Sequence, residues 1–199
     1  KKSLLDVGIQ TGGAYRGFRF MERLATSRNS NQSLQIAVFG NSFAIGSNCG
    51  ESTAQQADDC AWPHRLKRRW KELFRSSEIL ESLPYVAVDW HMWQENAQGS
   101  AVIAQKLPAF VEFFSSKNLT VDAILLDNSM TDKLMDKGIV WFEGLLRVFL
   151  QTYPNVLIVS IIDGDPALYS EMDMMAYLSR LHNVQQKYEL AVVDISKMV

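Results

Sequence analysis

Short, mainly apolar runs alternate with amphipathic stretches along most of this chain. The runs cover residues 34–39 (closing on Gly40), 85–90, 121–127, 156–162 and 190–195, each of strand length. Between them lie longer stretches with helical spacing, at 62–75, 100–115, 139–153 and 170–189. In the first of these, Trp62, Leu66, Trp70, Leu73 and Phe74 fall on one helical face, basic residues fill the others, and Pro63 suits the first turn. Residues 14–27 predict a further surface helix, followed by a polar linker over 28–33. The strands are mainly apolar instead of alternating, as in a parallel sheet buried on both faces with helices as right-handed crossovers. The pattern predicts an α/β protein: a three-layer α/β/α domain with a five-stranded parallel sheet over 34–199, preceded by an N-terminal helix and linker over 1–33.

Composition narrows this picture. Hydrophobic residues make up 47 % and charged residues 21 %, an ordinary globular balance. A formal net charge of −2 supplies no basic field for nucleic acid or an anionic membrane, and the basic cluster on the 62–75 helix reads as a solvated face. No apolar run approaches the roughly 18 residues of a membrane span.

Cys49 and Cys60 flank a polar loop. They are either free thiols or a disulfide closing that loop, and two ligands alone make no zinc site. Spacing and loop polarity favour the disulfide. Two glycosylation sequons, at Asn31 and Asn118, point the same way, towards a secreted or luminal protein. The sequence begins at Lys1 without methionine and ends at Val199 just after a predicted strand, so both ends read as truncations of a longer protein.

Ligands of parallel sheets bind beyond the carboxyl ends of the strands, so the residues after each strand carry the functional information. After the first strand comes Phe39-Gly40-Asn41-Ser42-Phe43-Ala44-Ile45-Gly46. Gly40 permits a tight turn that would expose the Ser42 hydroxyl at the mouth of the sheet, either as a nucleophile or as an ordinary Ser/Asn turn. This segment resembles the first block of the SGNH (GDSL-type) hydrolases: Gly-Asp-Ser, a small or apolar stretch and a glycine directly after the first strand. Asn41 stands where the family has aspartate. Trp62-Pro63-His64-Arg65-Leu66 is similar to a helix start found in many members.

The resemblance implies a flavodoxin-like SGNH fold and a serine esterase without metal or organic cofactor. Gly99, before the 100–115 helix, matches the glycine whose N–H faces the oxyanion, with Ser100 one register away; a plain Gly-Ser helix cap explains the same residues without catalysis. In the third block, Gly-x-Asn-Asp, aligning Asp132 puts Ser129 on the glycine and Thr131 on the asparagine that donates the second oxyanion bond. A threonine hydroxyl is a shorter donor than an amide. Asn128 lies close by in sequence.

The family's closing Asp-x-x-His does not occur in these 199 residues, and its natural place lies beyond Val199. Of the three histidines, His91 is expected just past the second strand, on the functional edge, although a structural role suits it better. His64 and His182 belong to helices.

Two functions stay open. One is a secreted esterase acting on small-molecule or glycan esters, with carbohydrate O-acetyl groups or lipids as the family's typical substrates. The other is an inactive SGNH-like module that binds glycan or other extracellular proteins. An unrelated flavodoxin-like nucleotide binder is disfavoured, since no glycine-rich phosphate loop occurs.

Overall fold

The computed structural model describes residues 9–10, 13–30, 32–41, 44, 61–76, 86–95, 99–134, 137–162 and 171–194. Its strands are β1 (Ile9–Gln10), β2 (Leu34–Gly40), β3 (Val88–Gln94), β4 (Ala123–Asp127), β5 (Leu157–Ile162) and β6 (Ala191–Asp194). They form one sheet in the order β1-β6-β5-β4-β2-β3. The five strands β2 to β6 are mutually parallel, as the apolar runs predict. The sixth, β1, pairs antiparallel with β6, an addition too short to leave a pattern in the sequence. The helices are α1 (Ala14–Ser30), α2 (Trp62–Ser76), α3 (Ser100–Ser116), α4 (Ser129–Leu134), α5 (Gly138–Thr152) and α6 (Glu171–Lys187).

Side chains alternate across each strand and so supply two cores. On one face Ala37, Phe39, Ile124, Leu126 and Ile158 meet α3, α5 and α6. The centre of that core is aromatic: the Phe39 ring lies 5.1 Å from Phe110 and 5.5 Å from Phe149. On the other face Ile36, Val38, Ala123, Leu125 and Ile161 are covered by Phe20 of α1 and Trp62 of α2. The layers are therefore helix, sheet, helix. α1 is also tied to the sheet by an ion pair from Arg23 Nε to Asp122 Oδ1 at 3.0 Å. It runs on to Ser30, so the first part of the expected linker is helical.

Two elements differ from the sequence reading in ways that affect function. β3 spans Val88–Gln94, not 85–90. It is the sheet's outer strand beside β2, with side chains mostly half-buried, so it tolerates Asp89, His91 and Gln94 where a central strand would demand apolar residues. His91 consequently sits within the strand, opposite Ala37, and not beyond its end. The short helix α4 follows β4 directly and carries Ser129, Thr131 and Asp132.

From β2 the chain first moves outward to β3, then crosses back to β4 on the other side of β2. That reversal places the switch point of the topology between the carboxyl ends of β2 and β4, where Gly40 and Asp127 are register partners.

Candidate functional site at the carboxyl ends of the central strands

The turn after β2 is fastened on both sides. Asn41, almost fully buried, donates its N–H to the Asp127 carbonyl at 3.1 Å. Ala44 is fully buried, and its carbonyl accepts from Gln94 Nε2 at 3.0 Å. Glu95 N–H reaches the Gly40 carbonyl at 3.1 Å. The chain returns so closely that a Cβ on Gly40 would stand 2.2 Å from Ala44 Cβ, so only glycine fits at this strand end. Ser42, the expected nucleophile, lies outside the described residues, as do Cys49, Cys60 and Asn31. The residues that hold its turn belong to the ends of β2, β3 and β4.

Asp127 anchors a second element. Its side chain is fully buried, and Oδ2 accepts from the Trp62 indole Nε1 at 2.5 Å. The carbonyl and the carboxylate of one residue thus hold the turn after β2 and the first residue of α2. Sequence reasoning did not single out Asp127. Its signal was a charged residue closing a wholly apolar strand.

The loops after β3 and β4 meet at Ser100. Gly99 is the N-cap of α3, in extended conformation, and has no side chain with which to cap it. The cap comes from Asp132 of α4: Ser100 N–H donates to Oδ1 at 2.7 Å and Ser100 Oγ to Oδ2 at 2.5 Å. Asn128 Nδ2 donates to Asp132 Oδ2 at 2.6 Å and also to Ser100 Oγ. Ser100, Asn128 and Asp132 are all buried.

The arrangement distinguishes the two backbone N–H groups at Gly99 and Ser100. The Ser100 N–H is used by Asp132, whereas the Gly99 N–H makes no hydrogen bond among the described residues. Asn128 spends both amide hydrogens on the cap, which removes it as a spare oxyanion donor. Thr131 is buried and directly precedes Asp132, just as Gly99 directly precedes Ser100. The residues that follow the two expected donor positions, Ser100 and Asp132, are joined by two hydrogen bonds. Chemically, an outward N–H at a helix start is suited to stabilise developing negative charge.

His91 does not join this cluster. Its Nε2 is 2.7 Å from Gln35 Oε1, and its ring packs edge-on against Phe113 and Phe114 with centroids 5.2 and 4.9 Å away. Burial pushes its pKa down, against the pull of Asp89, so the neutral form is favoured. It is a structural histidine, as its aromatic surroundings in the sequence suggested. His182 stands on α6, near Gln186 Nε2 at 2.9 Å. Asn118 is exposed, in a left-handed turn after α3. Among the described residues, no group of three or more His, Cys, Asp or Glu side chains is placed to hold a metal ion.

No protein-family model and no curated protein matches the chain. Solved structures do. A two-domain esterase (CEX) active on acetylated mannans is 17 % identical with a TM-score of 0.65; the match covers 96 % of this chain and 45 % of that one. The psychrotrophic esterase EstA from Pseudoalteromonas sp. is 13 % identical with a TM-score of 0.58, over 80 % of this chain and 76 % of that one. AlinE4, an SGNH-hydrolase family esterase, is 15 % identical with a TM-score of 0.56, over 81 % and 76 %. Sheet order, layer arrangement and these likenesses agree: the chain has the SGNH hydrolase fold.

Proposed function

We propose that this protein is an SGNH-type serine esterase that removes acyl groups, acetyl above all, from carbohydrate. The observation that carries the reading is the Gly99 N–H, which lies at the start of α3 and makes no hydrogen bond among the described residues. In this scheme the Ser42 hydroxyl adds to the ester carbonyl and loses its proton to a histidine base. The oxyanion is held by the N–H groups of Ser42 and Gly99 and by the Thr131 hydroxyl. The alcohol leaves with that proton, and water then hydrolyses the acyl-enzyme by the same steps, releasing the acid. The scheme requires a histidine base and an orienting aspartate, and Asp-x-x-His is not found in residues 1–199.

The carbohydrate preference is supported by the likeness to the esterase active on acetylated mannans. Its test is acetate release from acetylated mannan by the full-length protein. Release that disappears in Ser42→Ala supports the proposal, and equal release from both proteins contradicts it.

Asn41 and Thr131, each in place of the family's usual residue, favour a second reading in which the site binds an acylated glycan without cleaving it. Saturable binding of acetylated mannan without acetate release would identify that case.

Both readings belong outside the cytosol, with Cys49 and Cys60 joined and with glycans at Asn118 and Asn31. Intact mass before and after reduction and deglycosylation tests this. Two alkylatable thiols without reductant would contradict it.

A further inference from the structure

We propose that Asp132 is a positioning residue, whose carboxylate fixes the Gly99 N–H at the angle an oxyanion requires. The proposal rests on the esterase reading and names a residue on which that site depends. Gly99 lacks a side chain to cap α3, and its carbonyl accepts from Val102 and Ile103, so the Ser100 N–H of the first turn takes its partner from elsewhere in the fold. Asp132 is that partner, 32 positions away, accepting both the N–H and the hydroxyl of Ser100. One of its oxygens, Oδ2, accepts in turn from Asn128 Nδ2.

The backbone of Asp132 is held as firmly as its side chain. A Cβ on Gly138, the first residue of α5, would lie 1.9 Å from the Asp132 carbonyl oxygen and 2.8 Å from its Cα. The main chains at Gly138 and Asp132 are therefore in direct contact, and only glycine at 138 permits it. Lys137 enters this junction in the left-handed region, at φ 60°. Asp132 is thus braced from behind by α5 and reaches forward to α3. A buried carboxylate with this many donors is a rigid strut, and a strut running to the residue after Gly99 controls where the Gly99 N–H points. Asp132 itself touches no reacting atom.

The experiment uses the full-length protein with 4-nitrophenyl acetate, comparing wild type, Asp132→Asn, Asp132→Ala and Gly138→Ala. Asn keeps one carbonyl acceptor for Ser100, and Ala keeps none. The expected order of kcat is wild type, then Asp132→Asn, then Asp132→Ala. The last should fall by about 10²-fold, the scale of one lost oxyanion donor, with KM little changed. Gly138→Ala should lower kcat likewise, although it leaves every side chain of the cap in place.

Hydrogen exchange is measured alongside. The Ser100 amide should be protected in wild type and exposed in Asp132→Ala, while amides in the middle of α3 stay protected. A kcat unchanged in Asp132→Ala, or loss of protection along all of α3, would overturn the positioning role. If wild type shows no turnover above Ser42→Ala, the esterase reading fails by itself. The Ser100 amide then decides the strut: protection that persists in Asp132→Ala overturns it.

Discussion

Trp62 and Asp127, 65 residues apart, are joined by a hydrogen bond from the indole N–H to a fully buried carboxylate at the exit of the central strand. The same aspartate receives the backbone N–H of Asn41. One residue of β4 therefore fixes both ends of the segment that contains Ser42. The Trp-Pro start of α2, which read as a family-like motif in the sequence, has a physical purpose here as a tether.

Replacing Asp127 by alanine leaves the Trp62 N–H without its acceptor in a partly buried place. The expected cost is about 1–3 kcal/mol, the desolvation penalty of an unmade hydrogen bond. Trp62→Phe removes the donor as well, so Trp62→Phe/Asp127→Ala should lose less than the sum of the two single changes. Urea unfolding of the four proteins measures this, and strict additivity would contradict the pairing.

Gly40→Ala places a methyl group 2.2 Å from Ala44 Cβ. The turn must shift, at a cost of roughly 1–3 kcal/mol typical of overpacking. Ala44→Gly added to Gly40→Ala should recover most of that stability, because it removes the atom that clashes. If the double variant is no more stable than the single one, the close approach is not the reason for Gly40.

The strands β2, β4, β5 and β6 were legible as mainly apolar runs because inner parallel strands are covered on both faces and admit polar residues such as Gln35 and Ser160 only with hydrogen-bond partners. β3 was legible only in part. At the sheet edge its Asp89, His91 and Gln94 are tolerated, and the apolar signal fell too early, which moved His91 from mid-strand to an apparent functional edge. Gly40 and Gly99 could be read from their position after a strand and before a helix. The roles of Ser100, Asn128 and Asp132 could not, since 28 to 32 residues separate partners whose meeting depends on how the loops after β3 and β4 converge. The helix α4 is too short for periodicity to register.

Thr131→Val keeps the shape of the side chain and removes its hydroxyl. If that hydroxyl is the second oxyanion donor, kcat for an acetyl ester should fall by about 10²-fold or more while KM holds. Thr131→Ser should retain most of the activity. Equal kcat for valine and threonine would remove Thr131 from the site.

Away from the site, Glu143 of α5 accepts hydrogen bonds from Lys187 Nζ and Arg147 Nη2, both at 2.7 Å, and from the Tyr188 hydroxyl at 2.9 Å. These donors lower its carboxyl pKa from 4.5 to about 2. The folded state favours the ionised form, so the stabilisation is complete above about pH 4.5 and is lost as pH falls towards 2. Glu143→Gln should lower the melting temperature at neutral pH by a few degrees, in line with the ~0.5–1 kcal/mol of a surface ion network. The gap from wild type should close on acidification through that window. A gap that is constant with pH would contradict the ionic origin.

The central proposal is that Ser42 is an activated nucleophile, and covalent capture addresses it most directly. The full-length protein is treated with a fluorophosphonate, and the modified residue is located by peptide mass spectrometry. The account predicts one adduct, on Ser42, formed much more slowly in Asp132→Ala and absent in Ser42→Ala. A full-length protein that acquires no adduct, or acquires it on another residue, contradicts the account.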